Sequence, residues 1–294
     1  MRPPARSRRS SRTWGSRLPA EANTAAARLP RAGISLPGAD VAAGRGLVTL
    51  YLSAIVLLPI SAVVAKSTSG GLGNFWDQVT SPPALAALKL TFICSLIVVA
   101  INAVMGTLIA WVLVRDDFRG KSMVNAVIDL PFALPTIVAS LVLIALYGNT
   151  SPIGIHLAFT KPAVVLALCF VTLPFVVRAV QPVLLELDRE VEEAAASLGA
   201  SGPTIFRRII FPSLLPGLLS GVALAFARAL GEYGSLVLIA GALNTQVASV
   251  FIRTQVENGN YAGASAVSVV LLAASLVMLT CLTMVQRWGS KHDR

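Results

Sequence analysis

The 294-residue chain is 55% hydrophobic and 13% charged, with a mean hydropathy of +0.74, which excludes a soluble globular domain and places it in a bilayer. Its formal net charge of +10 does not point to nucleic acid, because Lys and Arg cluster beside apolar runs instead of interleaving with aromatics. Cys94, Cys169 and Cys281 all fall inside those runs, where a thiol acts as a small hydrophobe, so no disulfide, metal or redox role is expected.

Residues 1–45 carry nine arginines and read as a disordered, basic cytoplasmic tail, with the membrane domain following over 46–290. About 46 residues precede the first apolar run, too many for a cleavable signal, and Ser7-Arg8-Arg9 lacks the nearby apolar core of a twin-arginine address. Six runs, near 47–65, 88–114, 124–147, 163–181, 214–240 and 264–286, each reach the roughly 20 residues that cross hydrocarbon. Cations gather before run one, after run two (Arg115, Arg119, Lys121), after run four (Arg178, Arg189, Arg207, Arg208) and after run six (Arg287, Lys291, Arg294). The other face holds only Lys66, Lys89, Lys161 and Arg253, so both termini and the stretch 186–212 are expected in the cytoplasm.

Between runs one and two, Ser67, Ser69, Gly70, Gly71 and Gly73 predict a flexible external loop, with Phe75-Trp76 at the interface. After run two, Gly120-Lys121-Ser122 looks like the end of a phosphate-binding loop. The first glycine of that pattern would fall on Arg115 and no strand precedes it, so nucleotide binding is not expected here. Run three opens with Pro131 and Pro135, each removing a helical hydrogen bond, and predicts a kink that serves either packing or a hinge. Pro174 in run four poses the same two readings.

The stretch 186–212, ELDREVEEAAASLGASGPTIFRRIIFP, is a charged insert that bilayer chemistry does not require. Leu187, Val191, Ala194, Ala195 and Leu198 recur near the helical period, with acids on the other faces. Gly199 suits the helix end, Ser201-Gly202-Pro203 a turn, and a second helix is predicted from Thr204 to a stop at Pro212. A membrane-surface helix would carry bases on its polar face, so the acids favour docking to a protein. Run five then places Gly217, Gly221, Ala225 and Ala229 in a small-residue stripe, open to an internal neighbour or to a partner subunit. In the same run Arg228 and Glu232 stand one turn apart, either as a structural ion pair or as part of a solute pathway. Asn102, Thr136, Ser140 and Thr172 are candidate donors along such a pathway.

Glu193-Ala194-Ala195, Gly199, Ile209 and Pro212, at this spacing and between runs four and five, resemble the EAA loop of ABC importer permeases, departing where Phe211 replaces the usual leucine. The string Arg228 to Gly234, RALGEYG, resembles the branch of these permeases that handles sulfate, thiosulfate, molybdate or tungstate. With Asp129 to Tyr147 and Arg178 to Glu190, the likeness is greatest to T-type permease subunits of sulfate/thiosulfate importers and covers roughly 47–290.

The resemblance implies an all-α membrane protein of six spans with the type I ABC importer permease fold, sitting multi-pass in a bacterial inner membrane. It implies a non-catalytic subunit without a cofactor of its own, ATP being bound by ABC ATPase subunits whose cleft receives the loop at Glu193 to Gly199. A second related permease, an extracytoplasmic sulfate-binding protein and membrane lipid are the other implied partners, and nucleic acid is not. Molybdate or tungstate import, an ion-coupled secondary transporter and a membrane scaffold without a pathway are the competing readings.

Overall fold

The structure, a computed structural model, describes residues 38–240 and 245–289. Two units divide the chain, Met1–Ile55 and Val56–Arg294. In the first, α1 (Gly38–Leu52) exposes Leu47, Val48, Leu50 and Tyr51, an outward apolar surface suited to lipid. Of the tail expected over 1–45, residues 1–37 lie outside the described residues, and α1 already opens at Gly38.

The second unit contains α2 (Leu58–Ser67), α3 (Gly71–Thr80), α4 (Pro82–Arg115), α5 (Lys121–Ala133), α6 (Thr136–Tyr147) and α7 (Lys161–Glu186). Then come α8 (Arg189–Ser197), α9 (Gly202–Ile205), α10 (Phe211–Leu230), α11 (Ala248–Glu257) and α12 (Tyr261–Gly289). Among the described residues, five helical segments are long and apolar enough to cross a membrane, and α5 with α6 makes a sixth if the bent pair counts as one span. Mutual packing of α4, α7 and α10 forms the centre, with α12 against α2, α3, α10 and α11.

The centre is tight because the small-residue stripe of α10 faces α7. A Cβ added at Gly221 would lie 2.8 Å from the Ala179 Cβ and 2.9 Å from the Val176 Cα. One at Gly217 would meet Val183 Cγ2 at 2.7 Å. Ala225 and Ala229 are buried on the same side. The stripe therefore serves an internal contact, leaving backbones close enough for dispersion to hold helices that gain little from the hydrophobic effect in lipid.

Four elements differ from the sequence expectations. The link between the first two spans is not a flexible loop but contains α3, whose Phe75 and buried Val79 pack with Ala84, Leu88 and Phe251. Run three is broken, not merely kinked: α5 and α6 meet at 114°. Leu134, forced out of the helical region by the following proline, has ψ 134°, and Pro135 has ψ 128°. Pro131 lies inside α5 without ending it.

Run five ends as a helix at Leu230, ten residues before its expected limit of 240, and α11 is an added helix before the last span. Lastly, Pro212 does not stop the insert's second helix, which continues from Gly202 to Leu230. A π-helical turn, Phe206–Ile210, precedes it, with the Phe211 N–H bonded five residues back to the Phe206 carbonyl. That shifted register places Pro212 at the start of a fresh α-helical stretch, where its missing N–H and ring are tolerated.

Candidate functional site

The insert is built from its ends inward. Asp188 caps α8, its carboxylate accepting the Glu190 N–H at 2.9 Å, and the early acids complement the helix N-terminus. At the other end Gly199 has φ +87°, while its N–H bonds the Ala196 carbonyl at 2.9 Å and the Ala200 N–H bonds Ala195 at 3.0 Å. This paired 5→2 and 6→1 closure satisfies carbonyls that would otherwise be orphaned, and it needs a left-handed residue at that position. A Cβ at Gly199 would meet nothing within 4 Å, so backbone strain alone selects glycine.

Of the motif residues, Glu193 and Ala194 are exposed, Ala195 and Ile209 are half-buried, and Pro212 is exposed. The apolar face is presented outward: Leu198 is 90% exposed and Val191 50%. Leu187 turns inward, against the cluster that includes Val180, Leu184 and Leu214.

A second anchorage was invisible in the sequence pattern. Glu192, next to the motif glutamate, forms an ion pair with Arg115 at the end of α4. The Arg115 guanidinium also lies over the Trp111 ring at 5.3 Å, and Trp111 meets Phe206 edge-on at 5.9 Å. A cleft of about 360 Å³ lies between α4 and the insert, lined by Trp111, Glu192, Glu193, Ala196, Ile205 and Phe206 among others.

Inside the membrane region, Arg228 Nη1 is 2.7 Å from Glu232 Oε2, in the pairing that the spacing allowed. Glu232 stands just beyond the end of α10, and its other oxygen accepts the Ser235 N–H at 2.8 Å. Ser249 Oγ donates to the Glu232 carbonyl at 2.6 Å, and Ser140 Oγ to the Gly234 carbonyl at 3.0 Å. Side chains thus satisfy the irregular backbone after Leu230, which is what permits it at membrane depth. Gly234 is pressed onto the α5–α6 bend: an added Cβ would be 2.0 Å from Thr136 Oγ1.

Arg178, expected merely to follow run four, lies within α7 and has all five N–H groups occupied. Nε and Nη2 bond Asp129 at 2.8 and 2.6 Å, Nη1 bonds Asn125 Oδ1 and Gln181 Oε1, and Nη2 also bonds the Asn125 carbonyl. It clamps α5 to α7. Arg228, by contrast, shows only its Nη1 contact to Glu232, and its side chain is 36% exposed.

Three of the candidate pathway donors are otherwise engaged. Asn102 donates to Thr172 Oγ1 at 2.8 Å, Thr172 donates to the Leu168 carbonyl, Ser140 is bonded to Gly234 as above, and all three are buried. Pro174 lies buried within an unbroken α7, near Thr172 and its Asn102 contact. Among the described residues no group of three or more His, Cys, Asp and Glu side chains could hold a metal ion.

Residues 102–291 match the family described as binding-protein-dependent transport system inner membrane component. The sulfate transport system permease protein CysT of Synechocystis sp. is 47% identical over 83% of this chain and 88% of its own length. The protein of the same name from Salmonella typhimurium is 41% identical, with 87% and 95% covered. Among solved structures, a chain of a bacterial alginate ABC transporter superposes with TM-score 0.71 at 16% identity, over 84% of this chain and 93% of that one. A chain of the inward-facing MetNI methionine transporter gives 0.55 at 19%, over 71% and 99%. These likenesses establish the fold, that of type I ABC importer permeases.

Proposed function

Because the chain belongs to the binding-protein-dependent transport system inner membrane component family, we propose that it is the permease subunit of an ATP-driven sulfate/thiosulfate importer in the inner membrane. The observation that carries the cargo is the 47% identity, over most of both chains, to a protein named for sulfate transport. The subunit itself is non-catalytic and needs no cofactor. ATP is hydrolysed by separate ABC subunits, a second permease completes the pathway, and an extracytoplasmic binding protein delivers the anion.

The insert is the docking element for an ATPase subunit. Support comes from the exposed Leu198 and Val191, the acids around them and the fixed turn at Gly199. Membrane and insert then alternate between two states, since nucleotide can shift access only by favouring one of them. Arg228 is the membrane cation that meets the anion: it keeps unoccupied N–H donors and partial exposure, while Glu232 orients it from below. Arg178 has no donor left to offer.

Radiolabelled sulfate uptake, with and without excess molybdate, tests the cargo. Deleting the chain should abolish uptake that a supplied copy restores, with little competition by molybdate. Undiminished uptake in the deletion, or full competition by molybdate, would overturn the sulfate reading.

A further inference from the structure

The insert is joined through the chain only to α7 and α10, so its touch on α4 is made entirely by side chains. That touch is specific. Arg115, whose side chain is 10% exposed, pairs with Glu192, 21% exposed, and the same guanidinium covers Trp111, which holds Phe206 by its edge. The neighbouring acids are therefore divided, Glu193 facing solvent and Glu192 facing α4. A 34-residue α4 is about 51 Å long, some 20 Å more than a hydrocarbon core, and this excess lets it reach the insert.

The pair is not arranged for greatest stability. Arg115 Nε is buried without an acceptor, a cost that a guanidinium selected only to hold the fold would avoid by a two-pronged grip. We propose that Arg115 is a positioning residue that binds span two to the insert through Glu192 and Trp111, so that movement of the insert drives α4 directly as well as α7 and α10. The proposal rests on the reading of the insert as the ATPase dock.

The test uses the complete importer in proteoliposomes, with both permeases, the ATPase subunits and the binding protein, measuring ATP hydrolysed per sulfate imported. R115Q should keep the ATPase subunits bound and hydrolysing while uptake drops about tenfold, raising that ratio about tenfold. The charge exchange R115E/E192R should recover only part of the ratio, because it restores the ion pair but not the cation over Trp111. R115K, which keeps the charge but loses the planar fork, should fall between R115Q and the unaltered importer.

An unchanged ratio in R115Q overturns the proposal. So does a loss of uptake in R115Q and R115K that merely follows a loss of assembled complex. L198D examines the dock separately: if it leaves ATPase retention intact, the docking reading fails, whatever R115Q shows.

Discussion

Glu232 is a carboxylate 1% exposed, and what it touches decides how its partner can be altered. Removing the cation by R228A leaves that carboxylate buried and unpaired, a cost of about 3 kcal/mol. E232Q keeps an acceptor for Ser235 and leaves a cation that is partly exposed, so it should cost only about 1 kcal/mol. Thermal unfolding in detergent should show that order, and equal losses would contradict the geometry. The exchange R228E/E232R, which spacing alone recommends as a rescue for a structural pair, should fail here, because arginine at 232 would point a donor at the Ser235 N–H. At Gly199 the cost is conformational. Valine at φ +87° should cost about 2 kcal/mol and asparagine much less, so sulfate uptake should fall in the order Gly, Asn, Ala, Val. Equal uptake in G199N and G199V would refute the left-handed requirement.

At the scale of elements, the bend between α5 and α6 and the segment after Leu230 are one packed unit. G234A should cost about 2 kcal/mol by forcing apart Gly234 and Thr136, and adding T136A should recover part of it by removing the 2.0 Å contact. An additive double variant in thermal unfolding would show that the two segments do not press on one another. Element existence was legible in the apolar runs and the insert's helix, turn and helix, since both depend on periodicity and on Gly199. Element ends were not. Hydropathy could not show that Leu230 ends its helix, because Ser140 and Ser249 satisfy the backbone from elsewhere in the chain, beside the local Glu232 carboxylate. Nor could it show α3, whose glycines read as a loop although Val79 is buried by α3's neighbours. The Arg115–Glu192 and Arg178–Asp129 pairs span 77 and 49 residues, and no local pattern announces contacts of that range.

For the whole molecule, orientation is the property the amino-acid sequence argues most directly. By the positive-inside rule, the cation distribution leads us to expect the insert in the cytoplasm and Trp76 on the opposite side. In intact cells, a charged thiol reagent should label W76C and spare L198C, with reversal expected for inside-out vesicles. Both side chains are exposed in the permease alone, and stripping the ATPase subunits from the vesicles keeps the proposed dock from shielding L198C.

The uncovered face of the insert also bears on how the cell keeps its subunits in proportion. With Leu198 90% and Val191 50% exposed, the docking proposal implies that a permease lacking its ATPase offers water a sticky surface open to quality-control proteases. Supply of the ATPase subunit should therefore set the lifetime of this chain. Pulse-chase labelling after ATPase depletion should show the permease decaying several-fold faster, while L198S should blunt that difference; an unchanged lifetime would mean the face is shielded by other means.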